Sequence, residues 1–534
     1  MSDASPVLLP GATIGIFGGG QLGRLTAMAA RSMGYRILVL DPDPACPARF
    51  VVDGCIEAAW NDSREAANLA RGCDVVTLEI EQISLASMDA AASFAPVRPG
   101  RDMLAIIQDR IEQKDWLRRN GFPIGDYRAV RSLDQLREAV AALGGKCFCK
   151  SATGGYDGRG QGKVGFREPE ATGATQPTVI PSERAAGVEG PPHLSLAEAE
   201  IRGAWEALGE APGVVEQAID LDREISILVA RSPNGEVKVY PAAWNHHEHQ
   251  ILAWSVLPAP LPPALAAEAS QLAQAIADTF QLEGILAVEL FVTKSGRLLV
   301  NELAPRPHNS YHASERACVT SQFEQLVRAV CNLPLGDTAI VQPCAIANLL
   351  GDLWLTPAPD DVTPSEGARE AVILSDGAAP SEGGKEAVIL SGGARDAVIL
   401  SAGAAPSDGG KEAVTPSEGG KEAVILSAGG KEAVILSGGV ADTVVEGPAV
   451  VSGPATSAPN HQPTTSNQQL TTNNQLPVTP RVPHFDRALA VPGVRLHLYE
   501  KLRPRKGRKM GHLSAVAPTP DEAVALVLYA KSLL

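Results

Sequence analysis

Residues 285–310 read ILAVELFVTKSGRLLVNELAPRPHNS. The runs ILAVELFV and RLLVNEL have the apolar, β-branched make-up of buried strands, and TKSG between them is turn material. A two-residue turn at Ser295-Gly296 pairs Lys294 with Arg297 and, counted outward, sets Glu289 opposite Glu302. Cross-strand neighbours lie about 5 Å apart, so two carboxylates there destabilise the sheet unless a cation sits between them. Magnesium, an oxygen-seeking ion held by one or two carboxylates plus phosphates, is the expected occupant. The plainer alternative is a salt bridge from either acid to Arg306. Asn301 adds one more polar contact beside the pair, and Arg306, His308, Asn309 and His312 crowd the following loop like the wall of an active site.

Upstream, KSATGGYDGRGQG at 150–162 is a glycine-rich loop suited to a lid over a triphosphate, with Lys150 at the end of the strand KCFCK. A merely flexible hairpin tip is its alternative reading. At the start of the chain the strand ATIGIF runs into Gly18, Gly20 and Gly23, and Asp41 closes the next strand, RILVLD. That spacing fits a dinucleotide fingerprint and so an NAD dehydrogenase, yet any phosphate or carboxylate satisfies amides at a helix N-terminus. With SREAANLA and DVVTLEI following, the first hundred residues read as a doubly wound α/β unit, and from Cys147 onward the pattern is α+β.

Residues 167–193 lack periodicity and read as a surface insertion. From about 357 the chain becomes a tandem repeat close to GGKEAVILSG, with blocks starting at Glu370, Glu386, Asp396, Glu412, Glu422 and Glu432. Their irregular spacing of 16, 10, 16, 10 and 10 residues favours disorder over a stacked β-solenoid. Order resumes near Ala488 with the strand VRLHLYEK, the basic stretch KLRPRKGRKMGH at 501–512, and the helix PDEAVALVLYAKSLL. The basic stretch can hold a phosphate dianion or be a solvated loop.

The 534 residues carry a net charge of −15 and are 45% hydrophobic, the balance of a globular protein whose overall charge disfavours nucleic acid. Eight cysteines without CxxC spacing read as buried free thiols rather than a zinc site. There is no basic leader pattern and no apolar run long enough to span a membrane, so the expected location is the cytoplasm and no membrane partner is expected.

In order along the chain, GGGQLGR, TLEIE, DRIEQK, GGYDGRGQ, VEQAIDLDREIS, AVELFV, NELAPRPHNS and GRKMGH resemble the ATP-grasp superfamily and, within it, the 5-(carboxyamino)imidazole ribonucleotide synthase (PurK) family. The resemblance covers residues 12 to about 350 and 490 to 534. It implies an N-terminal α/β, Rossmann-like pre-ATP-grasp domain over 1–110 and an α+β ATP-grasp domain over 111–335. A small C-terminal domain would comprise 336–356 and 484–534, interrupted by the disordered repeat at 357–483. For ATP it implies Arg110, Lys150, the loop Gly155, Tyr156, Asp157, Gly158, Arg159, Gly160 and Gln161, then Glu216, Gln217, Ala218, Ile219, Glu224, His247, Asn301 and Glu302. Glu289 and Glu302 would hold Mg2+, and Gln21, Leu22, Glu79, Asn309, Lys501, Arg508 and Lys509 would meet 5-aminoimidazole ribonucleotide. Tyr156, Asp157, Arg159 and Arg306 are the implied catalytic set. The implied reaction spends ATP to carboxylate that ribonucleotide with bicarbonate, in a homodimer. The basic motif is one residue longer than the family's usual form. A formate-using glycinamide ribonucleotide ligase is the sister reading, and a non-catalytic scaffold carrying the repeat is the reading from another class.

Overall fold

The computed structural model describes residues 5–154, 160–166, 196–355, 386–390, 397–401, 423–428, 431–436 and 482–534. It divides into two compact units, 1–356 with 480–534, and 357–479.

The first unit opens with four parallel strands, β1 (Thr13–Phe17), β2 (Arg36–Asp41), β3 (Gly54–Glu57) and β4 (Val75–Leu78), in the order β3-β2-β1-β4. Every residue of TIGIF is buried, as expected of a central parallel strand covered on both faces. The order reverses between β1 and β4, and the glycine loop after β1 sits at that reversal, ahead of the helix Gln21–Ser32. The expected doubly wound unit is present.

A second, antiparallel sheet takes β5 (Tyr127–Val130), β6 (Cys147–Ser151), β7 (Gln161–Val164) and β8 (Gly213–Gln217) in the order β5-β8-β6-β7. The third sheet is the largest. It runs β14-β13-β9-β11-β12-β15-β21-β20, with β10 on the side of β9. These strands are β9 (Leu221–Arg231), β10 (Val237–Val239), β11 (Ala243–Glu248), β12 (Ile251–Leu257), β13 (Gly284–Thr293), β14 (Leu298–Ala304), β15 (Cys344–Leu350), β20 (Val494–Leu498) and β21 (Lys509–Val516). One face of β9 and β13 is sealed by the helix Pro263–Thr279 through Ala269, Ala273, Ile276 and Ala277.

The C-terminal segments extend this sheet. β15 pairs antiparallel with β21 from Cys344 opposite Val516 to Leu350 opposite Lys509, and β12 pairs with β15. The closing helix Pro520–Ser532 begins with a capping box between Thr519 and Glu522 and buries Ala523, Val527 and Ala530 against these strands. The insertion interrupts the C-terminal domain, as expected, and the ladder of β15 with β21 joins the two parts. In the second unit, β16 (Glu386–Leu390) pairs with β17 (Ala397–Ser401), and β18 (Ala423–Ala428) with β19 (Lys431–Leu436), as separate two-stranded ladders. The remainder of the repeat and the surface insertion at 167–193 lie outside the described residues.

Closing a long loop costs free energy only logarithmically in its length. Replacing residues 360–480 by a short Gly-Ser linker is therefore expected to keep the melting temperature of the first unit and turnover within about twofold. A soluble deletion that has lost activity would show the repeat to be part of the working fold.

Candidate active site

The hairpin of β13 and β14 reaches the expected pairing by an unexpected route. The turn holds three residues, Lys294–Gly296, because the Thr293 amide donates to Arg297 O at 3.0 Å and the Arg297 amide donates to Thr293 Oγ1 at 3.0 Å. Gly296 takes the positive φ of 79° that such a turn needs. This offsets the ladder by one residue from the simple count, so that Leu290 faces Val300. A bulge at Asn301 then restores the register, and Glu289 stands opposite Glu302. Strict alternation would turn Asn301 and Glu302 to opposite faces, whereas with the bulge both line one cavity.

That cavity, of about 990 Å³, lies between the second and third sheets. Within it Lys114 and Lys150 grip the two oxygens of one carboxylate, each Nζ 2.6 Å from Glu216. Lys114 also donates to the carbonyl of Asn301 at 2.9 Å, and Lys150 to the Asn301 side chain at 3.3 Å. Asn301 passes the chain on, its Nδ2 donating to Glu289 at 3.1 Å. His308 lies 3.2 Å from the other Glu289 oxygen, and His247 lies 2.8 Å from Glu224.

Burial pushes the Glu216 carboxyl up, but the two ammonium groups more than reverse this and hold it far below its ordinary range. Burial likewise works against both lysines. Lys114 is pulled down by it, whereas Glu216 and Glu302 hold Lys150 above its usual value. The two glutamates part company. Against the cost of burial, His308, His247 and Asn301 bring Glu289 to about 2, while burial and the charge of Glu289 push Glu302 up. An all-oxygen donor set whose second carboxyl is raised by the first is suited to a hard divalent cation.

Arg306 does not bridge either acid. Its Nε pairs with Glu81 at 2.9 Å, on the cavity wall, which removes the salt-bridge alternative. Arg110, Gln161, Gln217, Ala218 and Ile219 line the same cavity, as do Glu224 and His247. Gly160 lies outside it, on a smaller neighbouring pocket, and Gly155, Tyr156, Asp157, Gly158 and Arg159 lie outside the described residues. Lys114, His308 and Glu81 complete the charge network and were not singled out as ligands from the sequence.

Four of the seven expected ribonucleotide residues, Gln21, Asn309, Lys501 and Lys509, form a second cluster against this wall. Asn309 and Lys509 line the cavity. Behind them Gln21 donates to Asn309 Oδ1 at 2.6 Å, and Lys501 donates to Gln21 Oε1 at 2.8 Å and to the Lys509 carbonyl at 2.7 Å. Leu22, Glu79 and Arg508 stand outside the cavity lining, and Arg508 donates to the Arg503 carbonyl at 2.9 Å.

The glycine loop does not fit a dinucleotide. Glu79 fills the helix N-terminus, accepting from the amides of Gly20 at 2.5 Å, Leu22 at 3.1 Å and Gly23 at 2.9 Å. Asp41 accepts from Gly19 at 2.7 Å. A Cβ on Gly20 would stand 2.5 Å from the Glu79 carboxylate, so this glycine is there for a resident anion. The dehydrogenase reading fails on that occupancy.

With this geometry in hand, known proteins resemble the chain along its length. Family models match residues 11–108 as a ribonucleotide synthetase preATP-grasp domain, 115–190 and 193–323 as an ATP-grasp domain, and 470–525 as a phosphoribosylaminoimidazole carboxylase C-terminal domain. The N5-carboxyaminoimidazole ribonucleotide synthase of Brucella melitensis is 38% identical over 345 residues, covering 65% of this chain and 87% of the relative. The chain belongs to the N5-carboxyaminoimidazole ribonucleotide synthase family. The synthase of Bacillus subtilis is 37% identical over 65% of this chain and 83% of its own length. Among solved structures, an ADP complex of a PurK synthetase aligns with a TM-score of 0.66 at 28% identity, covering 99% of this chain and 98% of that one. The Thermotoga maritima enzyme aligns with a TM-score of 0.61 at 25% identity, covering 98% of each chain. In this chain the repeat falls between β15 and β20.

Glu216→Gln leaves two buried ammonium groups without their counter-charge, with an expected loss of about 3–5 kcal/mol in a urea titration at neutral pH. The carboxyl is depressed in the folded state, so its contribution is complete above the unfolded value of about 4.3 and is lost as pH falls toward the folded one. The gap between wild type and variant should accordingly narrow on acidification; a constant or widening gap would remove Glu216 from its bridging role.

Proposed function

We propose that this protein is an ATP-grasp carbon–nitrogen ligase that carboxylates 5-aminoimidazole ribonucleotide with bicarbonate, releasing ADP and phosphate, in purine synthesis. The observation that carries this reading is the pairing of Glu289 with Glu302 beside Lys150, in a cavity whose other wall bears Asn309 and Lys509. Acids and ammonium groups there suit a polyphosphate, and the amide and lysine suit a sugar phosphate.

In this reading ATP occupies the space between the sheets, against Arg110, Lys150, Gln161, Glu216 to Ile219, Glu224 and His247. A bicarbonate oxygen attacks the γ-phosphorus, the bond to the ADP oxygen breaks, and carboxyphosphate results. The exocyclic amine of the ribonucleotide then attacks its carbonyl carbon, phosphate leaves, and the nitrogen gives up a proton. Lys150 neutralises charge on the transferring group. Lys114 and Glu216 fix Lys150 in place before ATP arrives, which limits reorganisation during the step. Glu289 and Glu302 are the residues that would hold Mg2+, which supplies further charge neutralisation when bound. Arg306, fixed by Glu81, and Tyr156, Asp157 and Arg159 are proposed to orient bicarbonate and amine. Gln21, Lys501 and Lys509 are proposed to hold the ribonucleotide with Asn309; Leu22, Glu79 and Arg508 complete that proposed set.

No helix among the described residues is long and apolar enough to cross a membrane. A cytoplasmic homodimer is the proposed working form, on the family resemblance.

ADP release from ATP and magnesium is expected to need bicarbonate and to rise only with 5-aminoimidazole ribonucleotide. Turnover with formate and glycinamide ribonucleotide instead would transfer the protein to the sister activity. Glu302→Gln is expected to lose about a hundredfold in kcat, in line with removing one group that stabilises transition-state charge. Wild-type turnover by that variant at saturating magnesium would overturn the metal assignment.

A further inference from the structure

Away from the phosphoryl cavity, three side chains from two distant parts of the sequence converge. His497 on β20 and His512 on β21 are direct cross-strand partners, with ring centroids 4.7 Å apart. Glu315, from the short helix Ser314–Ala317, brings a carboxylate oxygen to 3.4 Å from His497 Nδ1. One donor atom from each of the three lies within 4.8 Å of the others. Tetrahedral ligands on bonds of about 2.0–2.1 Å stand roughly 3.3 Å apart, so His497 and Glu315 already have a ligand's separation, and an inward shift of the third donor by up to about 1.5 Å completes it.

His512 gives the second, independent indication. It is fully buried, at 0% exposure. Its Nδ1 is engaged by the Tyr499 hydroxyl at 2.8 Å, and its Nε2 has no hydrogen-bond partner among the described residues. A buried orphan nitrogen is costly unless something fills it. A metal-bound imidazole has this arrangement, one nitrogen oriented by a neighbour and the other given to the ion. The neighbouring His312 cannot fill the role. It stacks on His512 at 4.8 Å, but its own nitrogens face Asn309 Oδ1 at 3.1 Å and Gln322 Nε2 at 3.5 Å.

We propose that Glu315, His497 and His512 bind one divalent transition-metal ion of the zinc class. Two imidazoles and a carboxylate suit Zn2+ and its neighbours, whereas Mg2+ prefers the all-oxygen pair at Glu289 and Glu302. The side chains of His497 and Glu315 remain 25% and 30% exposed, which gives the ion access and leaves a position for water. Arg316, adjacent to Glu315, is turned onto the carbonyls of Gly493 at 2.7 Å and Ser514 at 3.1 Å, so its charge is held by backbone acceptors. The ion ties the hairpin that follows the insertion to the segment carrying Asn309 and His312, a cross-link separate from the chemistry.

The test uses the full chain without a histidine tag, stripped of metal and titrated with Zn2+ against a chromophoric chelator, with Co2+ as a spectroscopic probe. About one Zn2+ per chain, tetrahedral Co2+ bands and a raised thermal midpoint with Zn2+ are expected. Glu315→Gln and His497→Asn, both at partly exposed positions, should each weaken Zn2+ by at least about tenfold, as losses of metal-site partners do. Glu302→Gln should leave Zn2+ binding intact. No uptake by the wild type, undiminished affinity in both cluster variants, or loss of the zinc in Glu302→Gln would each overturn the proposal.

Discussion

Two carboxylates facing each other across one ladder are the constraint around which the first unit is arranged. Glu289 and Glu302 repel, and burial raises the cost of that repulsion. The surrounding charges answer it in a graded way. His308, His247 and Asn301 serve Glu289, while Arg110 and Lys150 lie on the side of Glu302. Lys150 in turn leans on Glu216, and Glu216 on Lys114, so that the network crosses from the third sheet to the second. A site laid out in this way has its charges positioned before any phosphate enters, and that layout depends on the bulge at Asn301.

Carboxylates do a different job in the first sheet. Glu79 and Asp41 take the amides of Gly19, Gly20, Leu22 and Gly23, so a fingerprint that elsewhere cradles pyrophosphate here closes on the protein itself. The helix Gln21–Ser32 is thereby fixed from within, and its first residue, Gln21, is free to reach Asn309 and Lys501. A motif's geometry is thus no guide to its ligand until the position of every nearby acid is known.

Much of this could be read from the sequence. The alternation of ILAVELFV and RLLVNEL and the turn between them gave the hairpin and its facing acids, although the count of turn residues was off by one and the bulge made good the difference. Neither Thr293 capping its own turn nor an extra residue at Asn301 leaves a hydropathy signal. The glycine loop stayed ambiguous because the group that decides it, Glu79, is 59 residues from Gly20. Lys114 sits in an ordinary helix pattern. Yet it lies on the buried face between Ile111 and Leu117 at three-residue spacing, and a lysine there requires a buried counter-charge. The joining of β15 to β21 was not legible at all, since pairing partners so far apart share no local pattern.

That last ladder has a consequence during synthesis. Chains emerge from the ribosome at about 5–20 residues per second, so β15 is made on the order of ten seconds or more before β21 can cover it. For that interval the third sheet ends in an open edge of unpaired amides and carbonyls, the kind of edge to which any extended segment can add. The first segments to appear beside it are the AVIL blocks of the repeat, four of which are themselves strands in the finished chain. In the finished chain those four blocks pair with one another, and the edge of β15 is covered by Lys509–Val516.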